Sequence, residues 1–182
     1  RPDCPYPLGL AVHHIPHGRD FKTGMEILYE EYNVRRNFSG ELRTSVMEDF
    51  DENWQIPESE KGRPTYRENV FTVDPPESLD LDDAISIQLL DNGNYDLHVH
   101  IADVSYFVEP DTPLDKEARL RGTSYYPPGP DENVPMLPRE LSENCCSLMP
   151  RQDRLAVTVS VEVKPDGTIV GDTRIARSIV CS

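Results

Sequence analysis

"NVFTVDPPESLDLDDAISIQLL" (Asn69–Leu90) sets two apolar runs on either side of a segment crowded with acids: Asp74, Glu77, Asp80, Asp82 and Asp83. The flanking pieces "NVFTV" and "AISIQLL" read as strands, and in the second Ile85, Ile87 and Leu89 alternate with Ser86 and Gln88. "DNGN" follows, and then "YDLHVHIADV" alternates Tyr95, Leu97, Val99 and Ile101 against Asp96, His98 and His100. Two runs of period two around an Asn-Gly turn predict a β-hairpin. A second hairpin is expected from "RLAVTVSVEV" (Arg154–Val163), the turn "KPDG" and "TIVGDTRIARSIV" (Thr168–Val180), with Leu155, Val157, Val159, Val161 and Val163 on one face.

Helices flank these strands. "DTPLDKEARLRG" offers Thr112 as N-cap, Pro113 at the first helical position, Asp115 in the first turn and Gly122 just past the end. "TGMEILYEEYNV" has helical spacing that lets Ile27, Leu28 and Tyr32 share a face, and "SGELRTSVMEDF" suggests a short helix capped by Ser39 or Ser45. "LGLAVHHI" near the start reads as a lone strand, and "YYPPGPDENVPMLP" (Tyr125–Pro138) is too rich in proline for regular structure. The fold class is α+β, a mixed and mostly antiparallel sheet with flanking helices.

The 182 residues are 37% hydrophobic and 28% charged, a globular composition without any apolar run near the roughly 20 residues of a membrane span. The opening "RPDCPYPLGL" has neither Met nor a secretory signal, which suggests a piece of a longer polypeptide. Cys4, Cys145, Cys146 and Cys181 lack C-x-x-C spacing and are expected to be reduced thiols of a cytoplasmic or nuclear protein, without zinc. The net charge of -15 runs against a phosphate partner, yet it is uneven. Met47–Glu60 holds acids and no base and reads as a solvated connector, whereas Lys116, Arg119, Arg121, Arg139, Arg151 and Arg154 cluster later. Global charge therefore leaves RNA open as a partner.

The acids of Asp74–Asp83 could form a solvated loop, but strands that must enter a core bracket them. Carboxylates forced together raise one another's pKa unless a cation compensates them, and hard oxygen donors select Mg²⁺ or Mn²⁺. A calcium loop counted from Asp80 fails, because Ile85 takes the glycine position and Asp91 the final glutamate position. A metal-assisted phosphoryl-transfer site fits better. Asp82 and Asp83 point opposite ways in an extended chain, so "PPESL" would have to supply an irregular turn. His13, His14 and His17 have no matched fourth ligand, and His98 and His100 read as satisfied polar neighbours within a sheet. Tyr125 and Tyr126 are loop anchors or a stacking platform for a base. No P-loop, dinucleotide fingerprint or G-x-S-x-G is present.

"FTVDPPESLDLDDAISI", "HVHIADVSYFV", "LDKEARLRGTSYY" and "VPMLPRELSENCCSL" occur in the order and spacing of the catalytic RNB domain of ribonuclease II/R-type exoribonucleases, which the chain resembles from about Glu68 to its end. The earlier "YPLGLAVHHIPHG" and "GMEILYEEYNV" resemble the end of a preceding cold-shock/OB domain and its helical connector. The resemblance implies domains at 1–20 (terminal OB strand), 21–67 (helical and acidic connector) and 68–182 (N-terminal part of the RNB domain). It also implies a Mg²⁺-dependent 3′-to-5′ hydrolase of single-stranded RNA that releases 5′-mononucleotides, with Mn²⁺ as a substitute and a larger RNA-decay assembly as a setting. By position, Asp74 and Asp83 would be metal ligands, Asp82 the carboxylate most needed for catalysis, Asp80 a supporting acid near the 3′-terminal nucleotide, and Tyr126 the tyrosine packing against the terminal nucleotides. The family's later arginine, glutamate, clamping aromatic and S1 domain do not occur in these residues. A non-catalytic RNA-binding or interaction module on the same fold is the alternative.

Overall fold

A computed structural model describes residues 9–11, 13–128 and 133–182. Two compact units separate, Arg1–Asn37 with Tyr126–Val134, and Phe38–Tyr125 with Pro135–Ser182. The first contains α1 (Phe21–Glu31), whose N-cap Asp20 accepts a hydrogen bond from the Thr23 N–H at 2.9 Å. Its buried residue is Tyr29, with the Arg36 guanidinium 5.0 Å from the ring centre. The face expected from Ile27, Leu28 and Tyr32 is exposed instead, because the helix ends at Glu31 and Tyr32 falls on its C-cap. No strand forms among the described residues of "LGLAVHHI", since a strand without a partner leaves its backbone bonds unmade.

The second unit begins with α2 (Gly40–Asp49), capped by Ser39, and continues through a 3₁₀ turn at Glu58–Glu60 into β1 (Thr65–Tyr66) and β2 (Val70–Phe71). β3 (Asp83–Leu89) and β4 (Tyr95–Ala102) form the expected hairpin, turning at Gly93, whose φ of 82° suits glycine. A short α3 (Val104–Phe107) precedes α4 (Pro113–Arg121), which carries the cap read from sequence: Thr112 Oγ1 accepts from the Asp115 N–H and Gly122 closes the helix at φ 75°. A π-type turn at Leu141–Cys145 leads to the second hairpin, β5 (Arg154–Val163) and β6 (Ile169–Val180).

The strand order is β1-β6-β5-β4-β3-β2, parallel at β1–β6 and antiparallel elsewhere. β1 and β2 are opposite edges of this sheet, yet only residues 67–69 join them. That link can span about 14 Å, whereas a flat sheet of six strands would part its edges by about 24 Å. The sheet must therefore curl. Accordingly the Tyr66 ring on β1 reaches across the concave side to His98 and His100 on β4, with ring centres 4.7 and 4.8 Å apart.

Curling decides which face is buried, and here it is the polar one. Ser86, His98, His100, Thr158, Ser160 and Ser178 are all buried, while their strand neighbours Val157, Val159 and Val161 are half-buried and Ile87, Ile101 and Ile175 exposed. The concave face satisfies itself. His100 accepts or donates to Ser86 Oγ at 2.9 Å and Thr158 Oγ1 at 2.7 Å, Thr158 meets Ser178 at 2.6 Å, and His98 meets Ser160 at 2.8 Å. Both imidazoles are thus the satisfied sheet neighbours the alternation suggested. Burial, then His98, lowers the His100 pKa to about 4, so the ring is neutral.

The apolar core lies at one end of the sheet, where Leu81, Ala84, Phe107, Leu114, Leu141, Leu148 and Leu155 meet. The acidic stretch Met47–Glu60 is more than a solvated connector: Phe50, Trp54 and Ile56 pack against that core, and Phe50 and Trp54 meet the Phe107 ring edge-on at 5.3 and 5.1 Å. Cys145, Cys146 and Cys181 are free thiols, as expected, and Cys4 lies outside the described residues.

Candidate active site

The acids of "DPPESLDLDD" occupy the loop between β2 and β3 and, with Asp83, the first position of β3, at the end of the sheet that carries the core. A turn closed by the Ser78 N–H to the Pro75 carbonyl (3.0 Å) reverses the chain after Asp74. The segment then runs back along residues 147–148. Leu81, between Asp80 and Asp82, is buried in the core, while Asp74, Asp82 and Asp83 reach solvent and Asp80 is half-buried. One leucine thus anchors the loop while the acids beside it stay at the surface. The Asp82 carbonyl accepts from the Ala102 N–H at 2.9 Å, which ties the loop to the end of β4.

Asp80, Asp83 and Asp74 lie close enough to Asp82 to act on it. The Asp82 pKa is raised first by crowding that strips water from a carboxylate still partly open to solvent, then by the charges of Asp80, Asp83 and Asp74. No base among the described residues pulls it the other way. The turn expected of "PPESL" is present, closed between Pro75 and Ser78. Tyr126 belongs to the other compact unit and is exposed.

Asp103, at the end of β4, behaves differently. Its side chain is fully buried and accepts hydrogen bonds from Arg63 Nη1 at 2.7 Å and Ser105 Oγ at 2.8 Å, with Arg177 Nε at 3.5 Å. Arg63 is held in turn by Glu60. The Cys146 thiol feels both regions: burial and the charges of Cys145, Asp82 and Asp103 push its pKa up. Sequence reasoning assigned no role to Arg63 or Asp103. The signal was an aspartate directly after a strand of "HVHIA", where a core would otherwise continue.

The clustered bases are mostly engaged within the protein. Arg119 pairs with Asp115, Arg121 with Glu117 and Arg139 with Glu143, each four residues away along the chain. Arg154 is buried against the Asn144 and Ser147 carbonyls. A cleft of about 500 Å³ between α2 and α4 and a smaller polar one beside Tyr66 and His98 are not lined by the clustered aspartates, which stand on an open rim.

Could such a rim hold a cation? The donors are oxygen only and their like charges bear on Asp82, which suits a hard divalent ion. Among the described residues, no three His, Cys, Asp or Glu side chains already form a group set to hold a metal. The fit is therefore to an ion that keeps its water and takes few carboxylates directly, rather than to a closed protein cage.

A family profile described as RNB domain matches residues 63–182. The chain belongs to the RNB family. Ribonuclease R 1 of Lactococcus lactis is 48% identical over 128 residues, covering 69% of this chain and 15% of the relative. A protein of Arabidopsis thaliana described as inactive exonuclease DIS3L2 is 39% identical over 181 residues, covering 98% of this chain and 17% of its own. Among solved structures, RNase R of Mycoplasma genitalium in complex with double-stranded RNA superposes with a TM-score of 0.78 at 27% identity, over 92% of this chain and 29% of that one. The curated relatives are much longer: the chain spans between 15% and 25% of their lengths. The RNB match contains the acidic loop, both hairpins and the Arg63–Asp103 pair. No helix among the described residues is long and apolar enough to cross a membrane.

Proposed function

We propose that this RNB chain forms the front of the catalytic domain of a metal-dependent exoribonuclease, which degrades single-stranded RNA from its 3′ end and releases 5′-mononucleotides. The observation that carries this reading is the crowding of Asp80, Asp83 and Asp74 about Asp82, whose pKa is raised by burial and then by their charges. Kinship with ribonuclease R and with DIS3-like exonucleases supports it.

Asp74 and Asp83 would hold Mg²⁺, or Mn²⁺ in its place, and Asp80 would support them beside the 3′-terminal nucleotide. When bound, the ion polarises the phosphoryl oxygen and lowers the pKa of an attacking water. Asp82, flanked by three acids, would accept a proton from a group approaching the scissile phosphate. The cluster is closed to an unaccompanied phosphate by its own charge. Tyr126 is assigned to packing against the terminal bases, where an exposed ring gives a stacking surface independent of sequence.

The test uses the full parent protein with 5′-labelled single-stranded RNA and Mg²⁺. Wild type should give a ladder shortening from the 3′ end, and Asp82→Asn should slow it by at least about a hundredfold. RNA that stays intact with wild type, while binding persists, would establish the second reading: a non-catalytic RNA-binding module. That reading is favoured by one observation, the equally extensive match to a relative described as inactive.

A further inference from the structure

We infer that Ser147 is a positioning residue for the carboxylate loop, a clamp whose hydroxyl fixes the backbone on both sides of Asp80. This rests on the nuclease reading above. Ser147 is fully buried, and its Oγ makes two hydrogen bonds to one short piece of chain. It donates to the Leu79 carbonyl at 2.7 Å and accepts from the Leu81 N–H at 3.0 Å. The next residue continues the seam, because the Leu148 N–H donates to the Leu81 carbonyl at 2.8 Å. With the Ala102 N–H on the Asp82 carbonyl, four hydrogen bonds fix residues 79–82.

The need for such a clamp follows from the charges. Four aspartates stand within ten residues of chain, Asp74 to Asp83, and like charges brought together repel, so a loop free to relax would spread them apart. Leu81 resists from below by burial, but a single apolar side chain does not fix the peptide planes beside it. Ser147 does, because a hydroxyl is one donor and one acceptor at a single point. Its own position is set from behind: Arg154 Nε donates to the Ser147 carbonyl at 3.2 Å and to the Asn144 carbonyl at 2.9 Å. Ser147 N–H donates to the Asn144 carbonyl at 3.0 Å, closing the turn that follows Leu141–Cys145. The stretch "ENCCSL" therefore serves a loop that lies some 66 residues earlier in sequence.

The test compares Ser147→Ala with Cys145→Ala in the full parent protein. Cys145 is equally buried and close in the chain, but its thiol makes no bond to the loop. Calorimetric titration with Mn²⁺ alone should show affinity about 10–100-fold weaker in Ser147→Ala. In single-stranded RNA decay kcat should fall on the order of a hundredfold with KM little changed. Cys145→Ala should lower the melting temperature comparably and leave both readouts near wild type. Wild-type Mn²⁺ affinity and kcat in Ser147→Ala, or equal losses in Cys145→Ala, would overturn the clamp. If Ser147→Ala does not fold, Ser147→Cys takes its place and is read the same way, a thiol being close in size and a poor hydrogen-bonding substitute. Wild-type protein inactive on RNA would remove the nuclease reading instead, and the Mn²⁺ titrations would still decide the clamp.

Discussion

Asp82 and Asp103 both bear on the Cys146 thiol, yet their surroundings are opposite. Asp103 is buried and closed in by Arg63, Arg177 and Ser105. Asp82 reaches solvent among three other acids and meets no opposing base among the described residues. The concave face of the sheet sides with Asp103, because its imidazoles and hydroxyls answer one another. Polar groups that satisfy each other make architecture. Polar groups that the fold drives together against their own repulsion need something from outside.

The contrast predicts opposite responses to substitution. Arg63→Ala should have the largest effect on stability, about 3–5 kcal/mol by chemical denaturation, because it leaves the Asp103 carboxylate buried without its main partner. A loss below 1 kcal/mol would mean that water reaches Asp103 and would blur the distinction. Acid comes next. His100 has a folded pKa of about 4 against 6.5 unfolded, so the unfolded chain binds the extra proton. Stability should be complete above pH 6.5 and fall by roughly 2–3 kcal/mol on the way down to pH 4. A His100→Asn variant should lose most of that slope in denaturant midpoints measured across the range.

Ser86→Ala should cost about 1–2 kcal/mol, by stranding a nitrogen of His100. Asp82→Asn should change stability least, within about 0.5 kcal/mol and in the stabilising direction if at all, since it relieves repulsion. The same substitution is the one expected to stop RNA decay. A melting temperature lowered by several degrees in Asp82→Asn would place this acid with Asp103, as structure rather than site.

Much of this was legible in the chain. The two hairpins follow from period-two alternation around Asn-Gly and Pro-Asp-Gly turns, and α4 from Thr112, Pro113 and Gly122. These are local signals, complete within a dozen residues. The four aspartates were equally visible as a cluster, because their spacing in sequence is short. Alternation could not say which face of the sheet was inside. Val157, Val159 and Val161 alternate without fault, yet Thr158 and Ser160 are the buried residues. The decisive element was the three-residue link between the edges, which forces the curl and was hidden in an unremarkable "REN".

Although the lone strand read at "LGLAVHHI" did not form among the described residues and β1 went unread, the sequence by itself determined the two hairpins, the α4 caps and the acidic segment between β2 and β3. Each depends on neighbours within one turn or one hairpin, where backbone preference and side-chain period suffice. Tertiary structure alone decided that a polar face would be buried, that Arg63 would neutralise Asp103 from 40 residues away, and that Ser147 would reach back to Leu79 and Leu81. Those outcomes rest on hydrogen bonds and charges between distant segments. Their partners are chosen by how the sheet curls, and no local pattern records that.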